Sequence, residues 1–541
     1  MLIANKATAM KLHVLVMTGF IALCAAIGWA PLSAAKSLRY ATQDEPQTLD
    51  PHSANLAVTN RLLSNVYEGL VGRDKNYKVV PWLAVSWSQP DANTWRFKLR
   101  PNVKFHDGSA FTADDVVFSV ERAMHPNSQL KIAVHGIERA KKIDDLTVDI
   151  LMKEVNPVLP NHLIYLRIMS RAWAIKNKAE VPQNYKDKED TFAARNANGT
   201  GPFMIKERQP DVRTVMVAFA DWWNKASPER GNVTEVTLLP IKSNPTRMAA
   251  LISNEVQFVN DPPPQDVPRL RSSPQVKIAE GLESRVQFLA FDLHRDELLY
   301  SSVKGKNPWK DIRVRQAVAH AIDINAIKSK VMRNLSVPTG TIITSLDQGY
   351  AKDADVRLPY DPARAKKLLA EAGYPDGFSV TLDCGANQPA ADICQAIAPM
   401  LARIGINVTP NILQTANLFP KLQKFDTSFY LLNWGTPTGD ALYTMQSLLR
   451  SQSGGSVAGS NGDNNFGRYA NKAFDDIVDR FKVENDLKKR DAIIREALLM
   501  INKELPIVSL HQPIIPWAMR SNVDAVLPPN SVPYFFRFNI K

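Results

Sequence analysis

The residues best suited to chemistry cluster in one run, Leu432-Asn433-Trp434-Gly435-Thr436-Pro437-Thr438-Gly439-Asp440. A strand-like segment, 429–432, ends there and a helical one, 441–449, begins; open α/β sheets place ligands at strand ends. Trp434 offers a flat apolar face and one N–H donor, although a core tryptophan would look the same. Asp440 is a carboxylate for a cationic group, or the N-cap of a helix carrying Ala441, Leu442, Met445, Leu448 and Leu449. Asn433 and Thr436 add flanking polar groups. Away from this run, Asn387, Gln388, Asp261 (just before three prolines) and the acidic pair Asp44 and Glu45 offer hydrogen bonds or charge to a ligand, or simply to water. All of this is the chemistry of holding a molecule, not of changing one.

Motifs for bond-breaking are missing. The chain has no Gly-x-Ser-x-Gly elbow, no His-Glu-x-x-His and no lone cysteine with a placed histidine. Its nine histidines are scattered. No His, Met or Cys cluster suggests metal ligation, and no cofactor is expected. The formal charge is +12, but Lys and Arg alternate with acids along the chain. A solvated basic surface without nucleic acid is the reading.

The first residues set the compartment. Lys6 and Lys11 precede an apolar run, 12–30, and small residues end at Ala35. That is the layout of a secretory signal peptide, cut after Ala35; losing Lys6 and Lys11 takes the charge from +12 to +10. Cys24 falls in the discarded part. Cys384 and Cys394 remain, a disulfide candidate in an exported chain, with two free thiols as the alternative.

The elements that must position these groups alternate between strands and helices. Trp95, Phe97 and Leu99 alternate with charged residues in a strand, and Thr112 with Asp115 begins a helix. A helix from about Asn55 is expected to turn Leu56, Leu63, Val66, Tyr67 and Leu70 inward, and the charged stretch 176–198 reads as a surface excursion. Residues 283–293 form a long strand crossing into a second α/β unit. There, Asp311, Asp361-Pro362 and Asn471 start helices, and 378–383 and 406–408 are strands. Residues 505–510 return as a strand, followed by a proline-rich extended tail. Strand–helix repetition on this scale gives α/β architecture with mixed sheets.

One stretch is far more specific than its elements. Trp-Arg-Phe-Lys-Leu-Arg, then Val-Lys-Phe-His-Asp-Gly, then Phe-Thr-Ala-Asp-Asp-Val-Val-Phe-Ser, between residues 95 and 119, resembles the family 5 extracellular solute-binding proteins. Those are the peptide- and nickel-type binding subunits of ABC importers. Leu49-Asp50-Pro51-His52, Gly199-Thr200-Gly201-Pro202-Phe203 and 311–323 are also similar to the family's pattern. The resemblance implies a two-lobed periplasmic binding protein fold with two hinge crossings and an extra subdomain in the first lobe. The expected division is lobe 1 at 36–282 with the subdomain at about 75–195, lobe 2 at 283–508, and a return to lobe 1 at 509–541. It further implies a monomer in the periplasm that captures a di- or oligopeptide between the lobes and delivers it to permease subunits with cytoplasmic ATPases, without catalysis. Metal chelates and haem are the alternative cargo, and a secreted hydrolase the remote one. In peptide-binding relatives an aspartate three residues after the tryptophan takes the peptide's α-ammonium; here that position is Pro437.

Overall fold

The computed structural model describes residues 36–185, 187, 189–387, 389–455 and 460–541. The signal-peptide reading, with Cys24, and the ligand candidate Gln388 lie outside the described residues. No described helix is long and apolar enough to cross a membrane.

A 12-stranded mixed sheet organises the chain. From one edge its strands run Ile406–Leu413, Phe378–Gly385, Phe429–Gly435, Arg285–Phe291, Ile507–Arg520, Phe258–Asn260, Ser37–Thr42, Glu235–Pro240, Arg213–Ala218 and Phe203–Gln209. Val276–Leu282 and Ser336–Pro338 also pair with Ile507–Arg520. Ser37–Thr42 is parallel to both Glu235–Pro240 and Phe258–Asn260, and Phe378–Gly385 is parallel to Ile406–Leu413.

The 14-residue strand Ile507–Arg520 joins the two halves. Residues 507–511 pair with Arg285–Phe291, and residues 514–520 pair with Val276–Leu282. The second connection is the short link Glu283-Ser284 between those two partner strands. The two connections touch: the Glu283 N–H donates to the Pro513 carbonyl at 3.0 Å, and Gln512 Nε2 donates to the Glu283 carbonyl at 2.7 Å. The tail read as extended packing from 513 onward therefore begins as sheet. Pro513 is tolerated because it contributes its carbonyl, the group a proline keeps.

A separate antiparallel sheet holds the early motif, in the order Ala84–Asp91, Thr94–Leu99, Thr147–Met152, Ile137–Asp144. Trp95, Phe97 and Leu99 point into its core, while Arg96 on the opposite face grips Asp149 through two bonds of 2.7 Å. Helix Ala113–Met124 packs on this sheet, and its capping box forms, the Thr112 N–H donating to the Asp115 carboxylate at 2.9 Å.

One expectation is corrected. The helix near Asn55 spans only Ala57–Leu63, with Leu56 exposed ahead of it. Tertiary partners end it: the Asn65 and Val66 carbonyls accept from the Phe203 and Gly201 N–H groups at 3.0 and 2.9 Å. A Cβ on Gly199 would lie 2.0 Å from the Val66 oxygen, so only glycine allows that approach. Val66, Tyr67 and Leu70 are buried all the same. The described residues of 176–198 do run along the surface, with Lys176, Glu180, Asp190 and Arg195 exposed, but the stretch is anchored. Ala179, Gln183, Ala193 and Asn198 are buried, and the Ala179 and Val181 carbonyls accept from Arg122.

Thr200, in the glycine-rich turn, helps fill a buried carboxylate. Glu68 accepts from Thr200 Oγ1 at 2.8 Å and from the indole N–H groups of Trp82, Trp222 and Trp223 at 2.7, 3.0 and 3.0 Å. Burial pushes its carboxyl up to about 7 even so. The halves of the main sheet have their own cores, one around Trp309, Phe291 and Phe429 and another around Tyr40, Phe258 and Trp517.

Candidate ligand cleft

Strand Phe429–Gly435 lies antiparallel to Arg285–Phe291 and delivers the proposed binding run to the edge of the second half. Trp434 is half-buried there. Its indole N–H donates to Thr444 Oγ1 at 3.0 Å, and its ring stacks on Tyr443 with centroids 5.2 Å apart. Thr436 is buried, with its hydroxyl 3.1 Å from the same Thr444 oxygen. Asn433 is exposed and accepts from Arg285 at 3.1 Å.

Of the two roles read for Asp440, helix cap and ligand contact, the structure shows the cap and corrects the contact. It has no exposed surface and caps helix Ala441–Thr444 through the Leu442 N–H at 2.8 Å. Both of its oxygens also bind Arg490, at 2.5 and 2.7 Å, and Arg490 is equally buried. With cap and counter-ion both supplied by the protein, no face of this carboxylate is left for a solute.

The other candidates are spread out. Asp261 has a left-handed φ of 52° and pairs with Arg61 at 2.6 Å. Beside it a cavity of about 160 Å³ opens over Tyr40, Asp44 and Arg247, where the parallel strands Ser37–Thr42, Glu235–Pro240 and Phe258–Asn260 end. Glu45 is buried, accepting from the Asp211 N–H at 2.9 Å. Asn387 is exposed, close to the bridge formed by Cys384 and Cys394. That disulfide pins helix Ala390–Ala402 to strand Phe378–Gly385.

Two chambers lie between segments from before and after residue 283. The inner one, about 250 Å³, has His135, Glu154 and His162 on one wall and Tyr443, Gln446 and Lys482 on the other. The outer one, about 1000 Å³, has Tyr185, Arg195 and Arg208 facing Phe419 and Gln423. Gln129 lines both, so the two chambers are neighbours on the same side of the junction. Burial holds His162 down at about 3, and burial with nearby Lys482 lowers His135, so both imidazoles are neutral at pH 7. The Lys482 bond to Glu154 lowers that carboxyl. The cleft thus presents neutral donors and acceptors, an aromatic ring and charges of both signs.

Three contacts clasp the walls. Lys482 pairs with Glu154, Gln446 meets His135 at 3.4 Å, and Arg73 donates to the Thr438 carbonyl at 3.4 Å. Glu154 keeps 63% side-chain exposure, so water screens the ion pair. Lys482→Ala is expected to weaken ligand binding only about 1.5- to 5-fold, the effect of an exposed pair, and to raise the radius of gyration of the ligand-free protein in small-angle scattering. An unchanged radius would show that this pair does not hold the walls together.

Most of this cleft was not found from sequence. Tyr443 and Gln446 follow Asp440 at helical spacing, off the apolar stripe, which was the available signal. His135, Glu154 and His162 reach the site only through folding of the separate sheet, and nothing local marks them.

The model of the bacterial extracellular solute-binding proteins, family 5 (middle region), matches residues 78–456. The chain belongs to this family. Among family 5 relatives, the glutathione-binding protein GsiB of Salmonella typhi is 27% identical over 500 residues, 91% of each chain. The fold is that of the two-lobed periplasmic binding proteins. Periplasmic DppA of Helicobacter pylori, solved in complex with the peptide STSA, superposes with a TM-score of 0.76 at 23% identity, covering 93% of this chain and 98% of that one. NikZ of Campylobacter jejuni, solved with Ni(L-His), superposes with 0.76 at 19% identity, covering 94% and 99%.

Proposed function

We infer that this family 5 protein is the periplasmic solute-binding subunit of an ABC importer. It captures a di- or oligopeptide, or a peptide-like solute such as glutathione, and passes it unaltered to the membrane permease. The observation that carries this reading is the double chamber, walled by both halves of the chain and lined with charges of both signs and aromatic rings. A zwitterionic, partly apolar molecule suits such a lining. A solute gripped from both sides favours the closed arrangement by its differential affinity, and the paired connections at 283–284 and 511–513 are where the halves rotate. The peptide and glutathione named for the relatives support the same class of cargo.

In this reading lobe 1 comprises 36–282 and 509–541, lobe 2 comprises 283–508, and the mature chain begins after Ala35. The protein works as a monomer, without catalysis and without nucleic acid. Thermal unfolding with glutathione, di- and tripeptides and nickel–histidine tests it. A solute at a hundredfold excess over its Kd stabilises by about 2.7 kcal/mol, so a true cargo raises the midpoint by several degrees. A panel in which no peptide or glutathione moves the midpoint would overturn the assignment of cargo, and a shift with nickel–histidine alone would replace it.

A further inference from the structure

We propose that Arg208 anchors a free carboxylate of the captured solute, an inference that rests on the peptide-capture reading above. Arg208 stands near the end of strand Phe203–Gln209 and lines the outer chamber. Its side chain is only 10% exposed. One terminal nitrogen donates to the Pro46 carbonyl, while Nε is buried with no acceptor. Glu45 forms a loose ion pair with it at 3.9 Å, too long for a hydrogen bond. Glu45 is turned elsewhere: Oε1 takes the Asp211 N–H, and Oε2 is buried with no donor. A guanidinium presents five N–H donors in a planar fork shaped for a carboxylate. Burying one with part of that fork unfilled is unfavourable until an acceptor arrives. In keeping with this, burial lowers the Arg208 pKa against a smaller opposing pull from Glu45.

The other charges of the chamber do not compete for this role. Arg195 and Asp190 pair with each other at 3.1 Å and are both 67% exposed. Glu189 is held by the Asn184 N–H at 2.8 Å. Across the chamber, helix Thr415–Gln423 presents Phe419, which is 39% exposed. An acid placed on Arg208 therefore has an apolar surface opposite it, which fits a peptide ending in a free carboxylate beside an apolar side chain. An amide at that end keeps the shape but loses the charge that the fork reads.

The test is calorimetric titration of the mature protein with Ala-Ala-Phe and with glutathione, each as free acid and as C-terminal amide. Wild type is expected to bind at least one free acid roughly tenfold or more tighter than its amide. Arg208→Gln is expected to lose about that factor for the acid and nothing for the amide, with Arg208→Lys in between. The ligand-free melting midpoint of each variant establishes that it is folded. Equal loss for acid and amide would reveal a structural role and overturn the anchor, as would undiminished acid binding by a folded Arg208→Gln. Those results leave peptide capture standing. Failure of wild type to bind any of the four probes removes the peptide reading itself, and the anchor with it.

Discussion

Asp440→Ala is expected to destabilise the protein by about 3–5 kcal/mol, the cost of leaving a buried charge without its partner. Asp440 and Arg490 have no exposed surface, and their two bonds join the loop after strand Phe429–Gly435 to helix Leu487–Glu504. Without Asp440 the Arg490 guanidinium stays in the interior, where Phe481 offers it only a ring at 5.4 Å. Loss of the cap on Ala441–Thr444 adds about 1 kcal/mol. Arg490→Met alone strands the carboxylate instead and should cost a similar amount. Asp440→Ser with Arg490→Met keeps a capping oxygen and removes both charges, so it is expected to be more stable than either single variant that leaves a charge behind. Urea unfolding of the four proteins tests this ranking. Single losses below 1 kcal/mol would show that water reaches the pair.

Arg122→Leu is expected to cost as much. Arg122 binds Asp50 at 2.7 and 2.6 Å and also donates to the carbonyls of Ala179 and Val181 at 3.0 and 3.1 Å. The Asp50 carboxylate is completed by the Gln183 and His52 N–H groups, each at 3.0 Å. One buried guanidinium thus ties the Asp50 loop, helix Ala113–Met124 and the 176–198 segment together. Removing it leaves Asp50 charged and buried, at about 3–5 kcal/mol. The same cluster sets a pH dependence. Burial alone would raise the Asp50 carboxyl, but Arg122 overrides it and holds it below 3.8. Its contribution is therefore present above that value and disappears as pH falls through its folded pKa. His52 is lowered to about 3 by burial and then by Arg122, while burial takes His106 and His511 to about 4. Unfolding lets these rings take up protons near 6.5, so stability declines as pH drops below 6.5. Glu68, raised to about 7, acts the other way, losing stability as pH climbs from 4.5 to 7. The lowered histidines, His52, His106, His511 and with them His135 and His162, outweigh Glu68 and the other raised carboxyls, Asp115, Glu283 and Asp347, so net acid destabilisation is expected, steeper in Glu68→Gln. Unfolding free energies at pH 7, 6, 5 and 4 that stay flat would contradict these assignments.

The legible part of the structure was what neighbours in sequence decide. Caps at Thr112, Asp311, Asp361 and Asn471 begin helices as read, because an Asp, Asn or Thr serves backbone N–H groups two or three residues away. Alternation in Thr94–Leu99 gave the right strand with the right face inward. What escaped was decided across long separations. The helix after Leu56 stops because residues 201 and 203 claim its next carbonyls. The proline-bearing strand through 513 and 516 is held by partners near 280 and 336. In the site, Trp434 stands at the strand end as expected, yet Asp440 had a second possible employer, and Arg490, fifty residues on, was invisible to local pattern. The outer chamber shows the same limit: Arg208 had no motif, and its significance comes from donors left over after packing.

The strand Ile507–Arg520 completes both halves of the main sheet at once, and this governs the order in which the molecule can mature. As the chain emerges from its N-terminus, neither half owns its middle ribbon until the final few dozen residues arrive. Each nascent half waits with a vacant slot flanked by unpaired edges, an invitation to holdase chaperones or to mispairing between neighbours. A nonsense codon at 500 would therefore spoil the early half as thoroughly as the late one.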